Sequence, residues 1–149
     1  MQYAVPEHGL PAPAAVRRWA AAALGDARAE VTVRIVDADE SAALNQTYRH
    51  KSGPTNVLSF PFEAPVTARA TARRYLGDIV ICAPVVEREA RVQHKSREAH
   101  WAHMLVHGCL HLLGHDHQHE DQAQIMEALE TRILASLGYP DPYLVTEAV

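Results

Sequence analysis

The sequence predicts a single α+β domain, a small mixed sheet of about four strands packed against helices, with two helices closing the chain. Three observations predict it. A chain of 149 residues buries roughly 68–70% of its unfolded surface, enough for one core and too little for two. Short β-branched runs alternate with helical stretches, and two helical stretches then follow each other. Neither an internal repeat nor an interdomain linker divides residues 1–149.

Each element has its own warrant. Pro13 to Leu24 reads as a helix with proline in its first turn and Gly25 ready for a left-handed cap. Glu30 to Val36 alternates with β-branched residues and reads as a strand. Asp37 and Glu40 have capping-box spacing, with Asp37 as N-cap and Glu40 reaching back, before a helix to about Tyr48. His50 to Pro54 is loop by composition. Val57 to Phe60 is a short apolar strand stopped by Pro61. Residues 64–74 carry alanine, threonine and three arginines without periodicity, the composition of a mobile loop. Tyr75 to Cys82 is a strand, apolar enough at its end to be buried on both faces. Pro84 opens a helix to about Gln93, and the next helix runs from about Arg97 to Leu113. The last, from about Glu120 to Leu137, turns Ile125, Met126, Leu129, Ile133 and Leu137 to one face, with Gly138 past its end.

Composition excludes several classes. At 48% hydrophobic and 21% charged residues, wholesale disorder is ruled out. No apolar run approaches the roughly 18 residues of a membrane span. The start, Met1-Gln2-Tyr3-Ala4-Val5-Pro6-Glu7, lacks the basic and apolar parts of a secretory signal. Two cysteines, Cys82 and Cys109, make no disulfide framework. The expected location is the cytoplasm. The net charge of −4 hides a division: residues 120–149 hold six acids against one base, while residues 47–97 hold nine bases against four acids. That middle segment can meet a polyanion, although solvated arginines would look the same.

Histidine is the stronger oddity. Of ten, eight fall between His94 and His119. His100, His103, His107 and His111 share a stripe of roughly 80° on one helix. His107 and His111 are four apart, so two imidazoles on adjacent turns can grip one ion. Gly114 permits a sharp turn, after which His117 can swing back as a third ligand. The spacing of His107, His111, Gly114 and His117 is that of HExxHxxGxxH zinc proteases, but Gly108 stands where those enzymes hold their general-base glutamate. His100 and His103 read as lining a cleft or hydrogen-bonding, and Cys109 as a buried thiol. His115, His119 and Asp116 stay open between supporting a ligand, facing solvent and ligating. Three neutral histidines without a thiolate leave an open coordination position, the catalytic arrangement.

With this string, three segments resemble the YbeY family of bacterial endoribonucleases of ribosomal RNA maturation. They are His100 to His117, Asn45 to Arg49 with Pro54 to Glu63, and Leu76 to Cys82. The resemblance implies one zinc per chain on His107, His111 and His117, and an essential basic residue, Arg49. It implies single-stranded RNA as substrate, and a role in 16S ribosomal RNA 3′-end maturation and quality control, with ribosomal RNA and the small ribosomal subunit as partners. Neither a membrane nor DNA is expected. The chain departs from the family in one place: it has His115-Asp116-His117 where Tyr-Asp-His is expected. Two histidines therefore compete for the third ligand position, and the family spacing favours His117.

The chemistry agrees. A zinc on three neutral histidines keeps its charge, activates water as nucleophile and polarises a phosphoryl oxygen. Arg49 suits the charge developing on the non-bridging oxygens, and Arg69, Arg73 and Arg74 are candidates for contact with the RNA backbone. The alternatives are a metallohydrolase of a peptide-like substrate, which the missing glutamate disfavours, and a non-catalytic ribosome-assembly factor stabilised by its metal.

Overall fold

The computed structural model describes residues 1–5, 9–25, 28–62, 74–115 and 119–143. Nine elements follow in order: β1 (Gln2–Tyr3), α1 (Pro13–Leu24), β2 (Ala29–Val36), α2 (Ala38–Arg49), β3 (Val57–Pro61), β4 (Arg74–Cys82), α3 (Ala83–Val92), α4 (Arg97–Leu112) and α5 (Glu120–Ser136). They form the expected α+β domain, with a mixed sheet ordered β1-β2-β4-β3. β2 runs parallel to β1 and β4, and β3 pairs antiparallel with β4.

β4 holds the centre because both its faces are apolar. Ile79 and Ile81 join Trp19, Trp101, Leu105 and Cys109 in the larger core, on the side of α1, α4 and α5. Val80 and Cys82 point the other way, to Val36, Leu58 and Val85. Each large aliphatic side chain so buried contributes about 1.5–3 kcal/mol. Helix α4 is enclosed over most of its length, which is what lets it carry polar groups into the interior at fixed positions.

Several expectations change. β1 was not foreseen; two residues are too few for a periodic signal. Pro61 belongs to β3, tolerable because β3 is an edge strand. Arg74 opens β4, its N–H bonded to Arg28 O at 2.9 Å, instead of closing a loop. The rest of the expected loop, with Arg69 and Arg73, lies outside the described residues. Asp37 does cap α2, accepting from the Glu40 N–H at 2.9 Å. The Glu40 side chain, however, pairs with Arg34 at 2.6 and 3.0 Å, a bidentate ion pair being the stronger partner. Helix α5 turns most of its expected face inward, with Leu129, Ile133 and Leu137 partly buried against the core. Met126, Glu130 and Leu134 are its buried residues, whereas Ile125 is exposed.

Candidate metal centre

The site is assembled where α2, β3 and the end of α4 meet. Ser96 caps α4 by accepting from the Ala99 N–H at 3.1 Å. At the other end Gly114, at φ 102°, bonds its N–H to His111 O at 3.0 Å, and His115 N–H reaches Leu110 O at 3.0 Å. These paired bonds form a Schellman closure and turn the chain back sharply. His107 and His111 face one cleft of about 590 Å³, which His115, Gly114, Arg49, Ser59 and Asn45 also line. The Nε2 atoms of His107 and His111 stand 3.1 Å apart.

Sequence reasoning missed the residue that orients this pair. Glu130 of α5 is fully buried. Its Oε1 lies 2.6 Å from His107 Nδ1, its Oε2 lies 2.9 Å from His103 Nε2, and the Tyr143 hydroxyl donates to Oε2. Burial pushes the Glu130 carboxyl up, but the hydrogen bonds from His103, His107 and Tyr143 outweigh it and hold the group at about 2. An ionised carboxylate only accepts, so His107 carries its proton on Nδ1 and offers the Nε2 lone pair to the cleft. Glu130 was hidden in the sequence among the acids of an exposed-looking tail. Its signal was the four-residue spacing from Met126 and to Leu134, which places a lone carboxylate on an apolar stripe.

The four-histidine stripe divides in two. Only His107 and His111 line the cleft. His100 and His103 are buried: His100 Nε2 lies 3.0 Å from Glu89 Oε1, and among the described residues the Nδ1 atoms of both have no hydrogen-bond partner. The first half of α4 is covered by α3 and α5, whose carboxylates take these imidazoles away from the cleft. Burial pulls the His100 pKa down, outweighing the opposing pull of Glu89. Cys109 is buried and its thiol is pushed up to about 12 by burial, far from a thiolate ligand.

Arg49, at the last position of α2, reaches the same cleft and donates from one terminal nitrogen to Ser59 O at 2.9 Å. The same helix is tied to the segment that follows it by small polar contacts. Asn45 Nδ2 donates to Gly53 O at 2.9 Å, and Ser41 Oγ both donates to Thr55 O and accepts from Thr55 N–H at 3.0 Å. Gly108 shows why the protease glutamate has no place. A Cβ there would stand 2.8 Å from Ile79 Cγ2, so α4 rests directly on β4 at this point.

His117 and Asp116 lie outside the described residues, and no group of three potential metal ligands forms among those described. Arg74 is described but is absent from the cleft lining. Among the described residues no helix is long and apolar enough to cross a membrane.

Comparison with known proteins matches residues 12–138 to the family model described as Endoribonuclease YbeY. An Endoribonuclease YbeY of Nitrosococcus oceani is 57% identical over 145 residues, covering 96% of this chain and 94% of the relative. That of Methylococcus capsulatus is 60% identical over 134 residues, covering 90% and 87%. The solution structure of TM1509 from Thermotoga maritima is similar in fold, with a TM-score of 0.50 at 25% identity over 88% of this chain and 87% of that one.

Proposed function

The chain belongs to the endoribonuclease YbeY family, and from that membership we propose a zinc-dependent endoribonuclease specific for single-stranded RNA. Its tasks would be 3′-end maturation of 16S ribosomal RNA and ribosome quality control, in the cytoplasm and on the small ribosomal subunit. The enzyme is a hydrolase acting on RNA. One observation carries the finer reading: the Arg49 guanidinium and the Nε2 atoms of His107 and His111 share one open cleft.

The donor set suits zinc. Two imidazole nitrogens on a tetrahedral ion, each about 2.0–2.1 Å from it, lie about 3.3 Å apart, close to the 3.1 Å between these Nε2 atoms. His107 and His111, with His117 as third, would hold one ion per chain. A zinc ion held by these residues would lower the pKa of water toward about 7 and would polarise a phosphoryl oxygen. Glu130 keeps the His107 proton on Nδ1, which leaves the Nε2 lone pair as the donor a metal would take. Arg49 spends one N–H on Ser59 O, which steadies the guanidinium. Its remaining donors suit the negative charge that grows on non-bridging oxygens as the phosphodiester is attacked. Lys51, in the same lining, adds a second cation for the backbone.

Purified protein loaded with zinc should cleave single-stranded RNA, spare duplex RNA, and lose cleavage on Arg49→Ala. His111→Ala should lose stoichiometric zinc by mass spectrometry. Cells without the protein should accumulate 16S precursors with extended 3′ ends. Wild-type cleavage by Arg49→Ala, or full zinc content in His111→Ala, would sink the reading.

A further inference from the structure

We propose that the aromatic groove beside the cleft, formed by Tyr48, Phe60 and Tyr75 with Phe62 at its lip, stacks an unpaired base of the RNA whose backbone passes Arg49 and Lys51. The proposal rests on the nuclease reading above.

The two faces of the sheet are covered unequally. Helices α1, α4 and α5 close one face. On the other, α2 packs through Ala38 and Leu44 at the end where Val36, Leu58, Val80 and Cys82 sit. Toward the opposite end of β4 this face opens into a groove of about 570 Å³, lined by Thr32, Arg34, Tyr48, Phe60, Tyr75 and Asp78 among others. Aromatic rings gather there. Tyr48 is 60% exposed, Phe62 52% and Tyr75 36%; the remaining exposed aromatic residue among those described is Tyr143. Leaving such rings in water costs hydrophobic free energy, and three together constitute a patch that calls for an occupant.

The groove and the cleft are continuous through two neighbour relationships. Tyr48 and Arg49 are consecutive on α2, the ring lining the groove and the guanidinium lining the cleft. Along β3 the side chains alternate, so Ser59 and Pro61 line the cleft while Phe60 lines the groove. A strand lying in the cleft therefore meets the groove by crossing one edge of the sheet.

Charge separates what each compartment can take. In the groove, the Arg34 guanidinium is paired bidentately with Glu40, and the Tyr75 hydroxyl donates to Asp78 and accepts from the Thr32 hydroxyl. Those internal pairings suit a flat, neutral ligand. Arg49 and Lys51 next door suit phosphates. A neutral ring on a polyanionic chain is the chemistry of single-stranded nucleic acid. The rings are also held in place. Tyr48 meets Phe60 edge-on at 5.2 Å and Phe62 meets Tyr75 edge-on at 5.4 Å, so little rotamer freedom is lost when a base stacks.

The test measures binding of the zinc-loaded protein to a labelled single-stranded oligoribonucleotide and to a matched oligomer with abasic riboses. Stacking of one base on an aromatic side chain is worth about 1–3 kcal/mol, or about 5- to 150-fold in affinity. The abasic oligomer should bind wild type more weakly by a factor in that range. Tyr48→Ala should lose a similar factor on intact RNA, lose nothing further on the abasic oligomer, and be rescued by Tyr48→Phe. Phe62→Ala and Tyr75→Ala should behave like Tyr48→Ala. Salt-dependent RNA binding that is unchanged in all three alanine variants would overturn the groove while leaving the nuclease reading standing. An absence of salt-dependent RNA binding by wild type would overturn both. A self-associated wild type that dissociates in Tyr48→Ala would assign the face to a second copy of the chain and overturn the proposal.

Discussion

His107 donates its Nδ1 proton to Glu130 Oε1 across 2.6 Å, and Glu130 has no exposure to solvent. A carboxylate so deep in a core is unfavourable unless its oxygens are saturated. Here three donors from two parts of the chain, His103 and His107 of α4 and Tyr143 after α5, converge on it. The network ties α4, α5 and the segment after α5 into one unit behind the cleft. The same bond that stabilises the buried charge also sets the tautomer of a proposed ligand.

Removing the carboxylate should therefore damage stability and metal affinity together. Glu130→Ala takes the carboxylate from three donors, the buried His103 among them, at a cost of about 3 kcal/mol in the metal-free protein, read by urea denaturation. Glu130→Gln preserves volume but replaces one acceptor oxygen with a donor, so His107 no longer has a dedicated acceptor. Its zinc affinity should fall about 10- to 100-fold in a chelator competition. Wild-type affinity in Glu130→Gln would show that Glu130 has only a structural task.

This network also marks the limit of what the sequence discloses. Local signals were legible: the proline and Gly25 that bound α1, the Asp37 cap, the β-branched run of β2, and the glycine turn after His111. Each depends on neighbours a few residues away. The pairing of His107 with Glu130 spans 23 residues, and that of His100 with Glu89 depends on how α3 lies against α4. Periodicity found most of the inward face of α5, with Leu129, Ile133 and Leu137 packed against the core, but it included the exposed Ile125 and passed over Glu130, a charged residue at the centre of that face. Binding the Glu130 charge required donors that only the folded chain brings together. Arg49 was reached through family resemblance; its place in the same cleft as His107 follows from α2 ending there.

Arg49 should separate turnover from binding. Its remaining guanidinium donors are suited to charge that appears only as the phosphodiester is cleaved, so Arg49→Ala should lower kcat far more than it raises KM. Arg49→Lys should recover only part of the rate, because a single ammonium cannot bond both Ser59 O and a phosphate with the fork geometry of the guanidinium. Equal losses in kcat and affinity would make Arg49 a binding residue instead.

Acid should unfold the protein partly through His100. Its folded pKa lies below the ordinary value of 6.5, because burial opposes the charge and Nδ1 has no acceptor for a second proton. The unfolded chain therefore binds that proton more readily. The stabilising contribution is complete above about pH 6.5 and is lost as the pH falls through the folded value. His100→Gln keeps a donor for Glu89 without titrating. Between pH 7 and 5, denaturation midpoints should drop less steeply in this variant than in wild type. Parallel curves would move the acid sensitivity elsewhere.

The competition between His115 and His117 makes the last prediction. His115 directly follows the Gly114 turn, its backbone N–H fixed to Leu110 O and its side chain on the cleft. If His117 is the third ligand, as the family resemblance leads one to expect, His115 would stand beside the ion without holding it. His115→Tyr supplies the residue that the family resemblance leads one to expect at this place, and a phenol is a far poorer zinc ligand than imidazole at neutral pH. That variant should keep both zinc and RNA cleavage, with metal content within error of one per chain. His117→Ala should lose them together, since two imidazoles on one helix leave the ion half-coordinated. Zinc content and cleavage measured side by side decide the matter. Loss of zinc in His115→Tyr with retention in His117→Ala would make the ligand set His107, His111 and His115, and would place the turn after Gly114 one step tighter around the metal.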